Sequence, residues 1–198
     1  MPSPPRHPHK PNPRSNKHVF YLYQTPKNLF QRWSQFRPTK RLHNRDMACN
    51  PLQPPLWKGK RNVNITYKLL PADSAGVQKI DDLVQYQAVN SEKIKSVHGV
   101  DTPTPGNPGA WDWRGKGWLM IASSHWECLG FGHTDDENQW IVTYFDKTLF
   151  TPAGVDIYSR NKEGLPQTIV DQILDALKGL GVDDIANLAN SVFRVPQN

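Results

Sequence analysis

Ser123, His125 and Glu127 alternate along "WRGKGWLMIASSHWECLGFG", residues 113–132. On an extended chain their side chains share one side, so the carboxylate can orient the imidazole for a hydrogen bond with a substrate oxygen. A nucleophilic triad does not follow. The chain has no G-x-S-x-G elbow, and residues on one side of a strand step about 7 Å per pair. Tyr144 in "WIVTYFDK" and Tyr158 in "GVDIYSR" offer phenols that suit a polarised carbonyl if their strands pair. The expected catalytic groups are therefore His125, Glu127, Tyr144 and Tyr158. Trp118, Met120, Trp126, Trp140 and Tyr67 supply the large surfaces of a small-molecule chamber, and Arg114 a cation at its mouth. Each also has a plainer reading: an exterior histidine, packing aromatics, a solvated arginine.

Metal and nucleotide chemistry lack support. His98, His125 and His133 have no ligand spacing and no HExxH accompanies them, while "RGKG" and "GFG" lack the Walker spacing. No metal and no cofactor are expected. Gly115 and Gly117 read as a strand bend, and Gly130 and Gly132 as neighbours of the next turn.

These residues need a wall to stand on. Val63, Ile65, Tyr67 and Leu69 alternate with polar neighbours, and Val84, Tyr86 and Ala88 repeat the pattern. Short strands follow around "KIKSVHGV", "AWDWRG", "GWLMIASS", "HWECLGFG", "NQWIVTYFDK" and "GVDIYSR". The loop "DTPTPGNPG", residues 101–109, is a long connector suited to a portal lid. If 117–128 runs unbroken, Trp118, Met120 and Trp126 share a face. Ile169, Ile173, Leu177 and Leu180 recur at helical spacing, with Pro166 near the start and Gly179 and Gly181 near the end, and Asp183 is placed to cap a second, short helix. The expected fold is all-β: an antiparallel, lipocalin-like (calycin) barrel of about eight strands with a C-terminal α-helical segment.

Net charge divides by position. Residues 1–46 hold ten Lys and Arg against one acid, net +9, while residues 47–198 carry net −3. The leader also holds eight of the eighteen prolines and reads as a disordered basic segment, with the barrel domain over 47–198. An upstream start ahead of Met47, a targeting peptide and a basic binding tail are the three explanations of the leader. Its charge is diffuse, so no nucleic-acid partner is expected. No apolar run approaches the roughly 18 residues of a membrane span, and a cytoplasmic protein is expected. Cys49 and Cys128 make no disulfide framework.

"WKGKRNVNITYKLLP", "WRGKGWLMIASSHWECLGFG" and "WIVTYFDKTLFTPAGVDIYSR" resemble the small lipocalin-like (calycin) proteins of filamentous fungi, over roughly residues 56–195. Some of those proteins belong to secondary-metabolite gene clusters and are pericyclases acting on polyketide–peptide hybrid intermediates in pyrrocidine-type pathways. The resemblance implies a cofactor-independent isomerase that closes a ring within a small hydrophobic polyketide-derived substrate by a Diels–Alder-type reaction. It carries over no catalytic residue. The alternative is a non-catalytic carrier of a small hydrophobic metabolite, using the same bore.

Overall fold

The computed structural model describes residues 56–148 and 151–198, together with the backbone of two N-terminal strands, β1 (Tyr21–Leu22) and β2 (Arg41–Cys49). Seven long strands follow: β3 (Lys60–Leu69), β4 (Ile80–Ala88), β5 (Lys95–Pro103), β6 (Ala110–Gly115), β7 (Ser123–His133), β8 (Gln139–Phe145) and β9 (Gly154–Ser159). Helices α1 (Gln167–Lys178) and α2 (Asp183–Asn190) precede a short β10 (Phe193–Arg194). Each strand from β2 to β9 pairs antiparallel with its sequence neighbour, and β9 pairs back to β2. The sheet therefore closes into an up-and-down barrel, and closure removes the exposed edges an open sheet would present.

β2 crosses residue 47, where the sequence reading starts the barrel domain. The wall begins at Arg41, because β3 and β9 need a strand between them to close the ring. "RLHNRDMAC" carries no clean apolar alternation, and its pairing with β9 shifts between Asn44 and Asp46, so period-2 reading passes over it. The rest of the proposed leader, Tyr21–Leu22 apart, lies outside the described residues.

Both faces of β8 and β9 are covered. Trp140, Val142, Val155 and Ile157 face outward beneath α1 and α2, where they meet Ile169, Ile173, Leu177 and Leu188. Ile141 and Tyr158 face inward with Ile65, Tyr67, Ile80, Trp111, Trp126, Cys128 and Phe131. Coverage on both sides makes these strands near-continuous apolar runs. α1 begins after Pro166 and ends at Gly179, as the pattern predicts. Asp183 is the first residue of α2; Val182 holds the cap position and no side chain caps it.

Two irregularities decide which side chains enter the barrel. The expected strand over 117–124 is broken by a 3₁₀ turn, Gly117–Leu119, with Gly117 at φ +60°, so β6 and β7 form a hairpin and not one bent strand. In β7 the register with β8 shifts between Cys128 and Gly130. Leu129 keeps the outward place that alternation from Trp126 and Cys128 gives it, but after the bulge Phe131 turns inward, reversing the simple odd–even assignment.

Candidate functional site

The chemistry-bearing groups converge inside the barrel. Strand register places Tyr67 beside Asp82, Asp82 beside Gly99, Asp101 beside Trp113, and Trp111 beside Trp126. Alternation then turns all of these toward the bore. Tyr67, Trp126 and Trp111 stack in series, with ring centroids 6.0 and 5.9 Å apart and planes within 18° of parallel. The Trp126 indole N–H donates to Asp101 Oδ1 at 2.8 Å. The Trp113 indole lies flat over Gly99, whose missing Cβ is what admits the ring, and hydrogen-bonds Asp82. A chain of hydroxyls completes the floor: Tyr67 and Tyr158 oxygens are 3.2 Å apart, and Tyr158 and Thr143 oxygens 3.0 Å.

Two carboxyl groups in this interior have no cation beside them among the described residues. Asp82 Oδ1 and Asp101 Oδ2 are buried without a hydrogen-bond partner. Burial, reinforced by the charges of Asp101 and Asp81, holds Asp82 well above the usual carboxylate range, against a smaller lowering by the Trp113 hydrogen bond. Burial pushes Asp101 up to about 7, although the Trp126 hydrogen bond pulls it back. Burial also raises both Tyr67 and Tyr158 above the ordinary phenol value and takes the Cys128 thiol up to about 12. The interior therefore sets hydroxyl and indole donors among aromatic faces, with Asp82 and Asp101 favoured in their protonated forms by burial and Asp156 buried beside Thr143.

The expected pair His125–Glu127 lies on the opposite side of this wall. Trp126 points in, so its neighbours point out: His125 Nδ1 meets Asp112 Oδ1 at 2.9 Å and His125 Nε2 meets Glu127 Oε1 at 3.3 Å. Burial pulls the imidazole down, but the hydrogen bonds to Asp112 and Glu127 outweigh it and hold His125 above its ordinary value. Both carboxylates also tie down the loop between β5 and β6. Thr104 Oγ1 donates to Asp112 Oδ2 at 3.1 Å and Asn107 Nδ2 to Glu127 Oε1 at 3.3 Å. That loop, Pro103 to Gly109, encloses a hollow of about 170 Å³ against Ala110 and Trp111.

The structure thus brings together three of the expected site residues, Tyr67, Trp126 and Tyr158, inside the barrel. Trp140 and Tyr144 pack outward beneath the helices, where burial takes the Tyr144 phenol up to about 12. Arg114 is exposed and donates to the Met120 carbonyl at 3.0 Å. Trp118 and Met120 are 85% and 64% exposed on the β6–β7 turn and line no chamber, because the turn interrupts the alternation that would have aimed them inward. Trp111, Trp113, Asp82, Asp101 and Thr143 are interior groups the sequence reading missed. The signal for Asp82 was present: it falls on the Val84–Tyr86 register, two residues before Val84, as an acid on an apolar face.

A closed antiparallel barrel with helices packed against one side is the lipocalin arrangement. The siderocalin Ex-FABP, described as functioning through dual ligand specificities, superposes with a TM-score of 0.52 at 14% identity, over 81% of this chain and 95% of that one. In sequence, "Botcinic acid biosynthesis cluster B protein 12" of Botryotinia fuckeliana (strain B05.10) is 30% identical over 116 residues, or 56% of this chain. The match takes in 53% of that relative, so the chain spans about half its length. No protein-family model matches the chain. No helix among the described residues is long and apolar enough to cross a membrane.

Proposed function

We propose that this protein is a cofactor-independent cyclase of a fungal biosynthetic pathway, binding a small hydrophobic polyketide–peptide intermediate in the barrel and closing a ring within it. The observation that carries the reading is the buried pair Asp82 and Asp101, each with an oxygen that no described residue satisfies. A wall needed only for apolar packing gains nothing from burying two carboxyls, whose desolvation opposes folding. A neutral carboxylic acid in an apolar site is a strong hydrogen-bond donor to a carbonyl, and it stabilises the charge that grows there in a cycloaddition transition state. The Tyr67–Trp126–Trp111 stack supplies faces against which a polyene can be held folded, so that lost conformational freedom is converted into rate. In the cycloaddition two π bonds become two σ bonds within one molecule; no atom leaves, and the donor proton stays on its oxygen.

The relative from a biosynthesis cluster supports a biosynthetic setting, and the lipocalin fold supports a bound small molecule. Both also suit a carrier that holds the metabolite unchanged. The two separate in one experiment. The full chain is incubated with the linear precursor, and rate and diastereomer ratio are compared for wild type, Asp101→Leu and Tyr158→Phe. Acceleration with a narrowed diastereomer ratio, lowered about tenfold or more by loss of a donor, supports the cyclase. Binding with unchanged rate and ratio makes the protein a carrier.

A further inference from the structure

We propose that the barrel end bearing the β6–β7 turn docks on an anionic phospholipid surface. Trp118, Met120 and Ile121 are 85%, 64% and 78% exposed on this one turn. Backbone bonds from Met120 N–H to the Gly117 carbonyl and from Ala122 N–H to the Leu119 carbonyl hold the turn, at 3.2 and 2.8 Å. The Arg114 guanidinium braces it through the Met120 carbonyl. The apolar side chains are therefore presented by a fixed backbone and have not been thrown out by a loose loop.

The surrounding charge is cationic in balance, although Lys116 is ion-paired with Asp81. Between Asp112 and Glu127 the chain has two cations, Arg114 and Lys116, and no acid. β4 and β6 run in the same direction, so the β4–β5 turn emerges at the same end. It exposes Val89 and Ile94, with Lys93 and Lys95 exposed beside Ile94 and its one acid, Glu92, paired with Arg61. The opposite end is acidic, with Asp135, Asp136 and Glu137 consecutive in the β7–β8 turn. Residues 47–198 are net −3, so a cationic end reflects placement and not bulk composition.

Charge complementarity selects an anionic partner, and the apolar geometry selects a lipid one. Trp is the residue favoured at headgroup depth, where its ring meets both acyl and polar layers, and Lys or Arg near the surface gains from anionic headgroups. Here the large side chains stand on separate turns with lysines at their bases. That suits insertion between headgroups better than a flat contact of the roughly 800 Å² per partner that a protein complex needs.

The test uses the full chain with phosphatidylcholine vesicles and with phosphatidylcholine vesicles containing phosphatidylserine. Partition into the phosphatidylserine vesicles, weakened by salt and accompanied by a blue shift of tryptophan emission, is expected. Trp118→Ser/Ile121→Ser lowers that partition about tenfold or more. Leu69→Ser, an exposed apolar change at the opposite end, leaves it unchanged. Thermal melts matching wild type show that the variants fold, as expected for exposed positions. Partition undiminished in the double variant overturns the proposal and assigns binding to other cations, those of residues 1–46 included. Absence of partition overturns it too, and retention on immobilised polyglutamate in that case points to an acidic protein partner.

Discussion

Asp101→Asn tests whether the barrel interior holds a neutral acid. In the unfolded chain this carboxyl ionises near 3.8, whereas burial carries it to about 7 in the fold. Between those values the folded protein keeps a proton that the unfolded chain has released, so folding takes up a proton and stability falls as pH rises. The loss begins above the unfolded value and is complete once pH passes the folded one. At about 1.4 kcal/mol per pH unit over roughly three units, the change is about 4 kcal/mol, an upper limit because an ionised interior can relax by admitting water. Asparagine has nearly the same shape, can still accept the Trp126 N–H, and does not titrate. Its amide N–H groups stand where Asp101 Oδ2 finds no partner among the described residues, which costs about 1–3 kcal/mol at every pH. The two stability profiles should therefore cross. In urea unfolding followed by tryptophan fluorescence, the variant is expected to be the weaker protein near pH 5 and the equal or stronger one near pH 8. Parallel profiles would refute the reasoning, since they would mean that Asp101 exchanges no proton on folding and cannot be a donor at neutral pH.

Gly99→Ala places a methyl into the Trp113 indole, overpacking the wall beside Asp82. A loss of about 1–3 kcal/mol is expected by urea unfolding, with an altered near-UV circular dichroism from the displaced indole; an unchanged spectrum and midpoint would mean the ring is not held over Gly99. His125 is held above its ordinary value by Asp112 and Glu127, so the tether on the Thr104–Gly109 loop is complete at low pH and weakens as pH rises through the raised value. Amide exchange of that loop, corrected for its intrinsic pH dependence, should speed up on going from pH 6 to pH 8 in wild type and show no such step in His125→Gln.

Strand periodicity exposed much of the wall: Ile65 and Tyr67 of β3 turn inward as the alternation requires, although the pairing with β4 shifts between Arg61 and Asn64, Val63 packs with Trp57 and Val195, and Leu69 is exposed, while the doubly covered β8 reads as a continuous apolar run. The site was less legible because it depends on the places where periodicity stops. From Trp113 to Phe131 the chain passes through a 3₁₀ turn and a bulge. Either one is enough to carry an odd–even assignment from one face to the other, which is why Trp118 and Met120 drop out and Phe131 enters. His125 lies on the outer side of the wall for a simpler reason. Both faces of β7 looked apolar enough to line a bore, and only the cross-strand partner Asp112 shows which face meets solvent. Asp82 and Asp101 were readable in principle, but a lone acid on an apolar register looks like a solvated charge until the neighbouring strand places Trp113 over it.

The wall sorts charge by side, and that sorting bears on the ligand. Outside, acids are matched: Asp112 and Glu127 share His125, and Asp81 is met by His98 and Lys116. Inside, the partners of Asp82 and Asp101 are the indoles of Trp113 and Trp126, which can donate a hydrogen bond but cannot neutralise a charge. An interior of that kind is most stable when its carboxyls are protonated, and a protonated carboxyl presents an O–H. On the proposed function, Asp101 below about pH 7 would offer its O–H to a neutral ligand with a carbonyl or other acceptor, and would disfavour one bearing its own carboxylate. Above that value Asp101 becomes an anion and the preference turns toward hydrogen-bond donors. On the proposed function, the group that makes the fold sensitive to pH would also be the group that meets the ligand, and the carbonyl of a neutral cyclisation precursor would suit its protonated state.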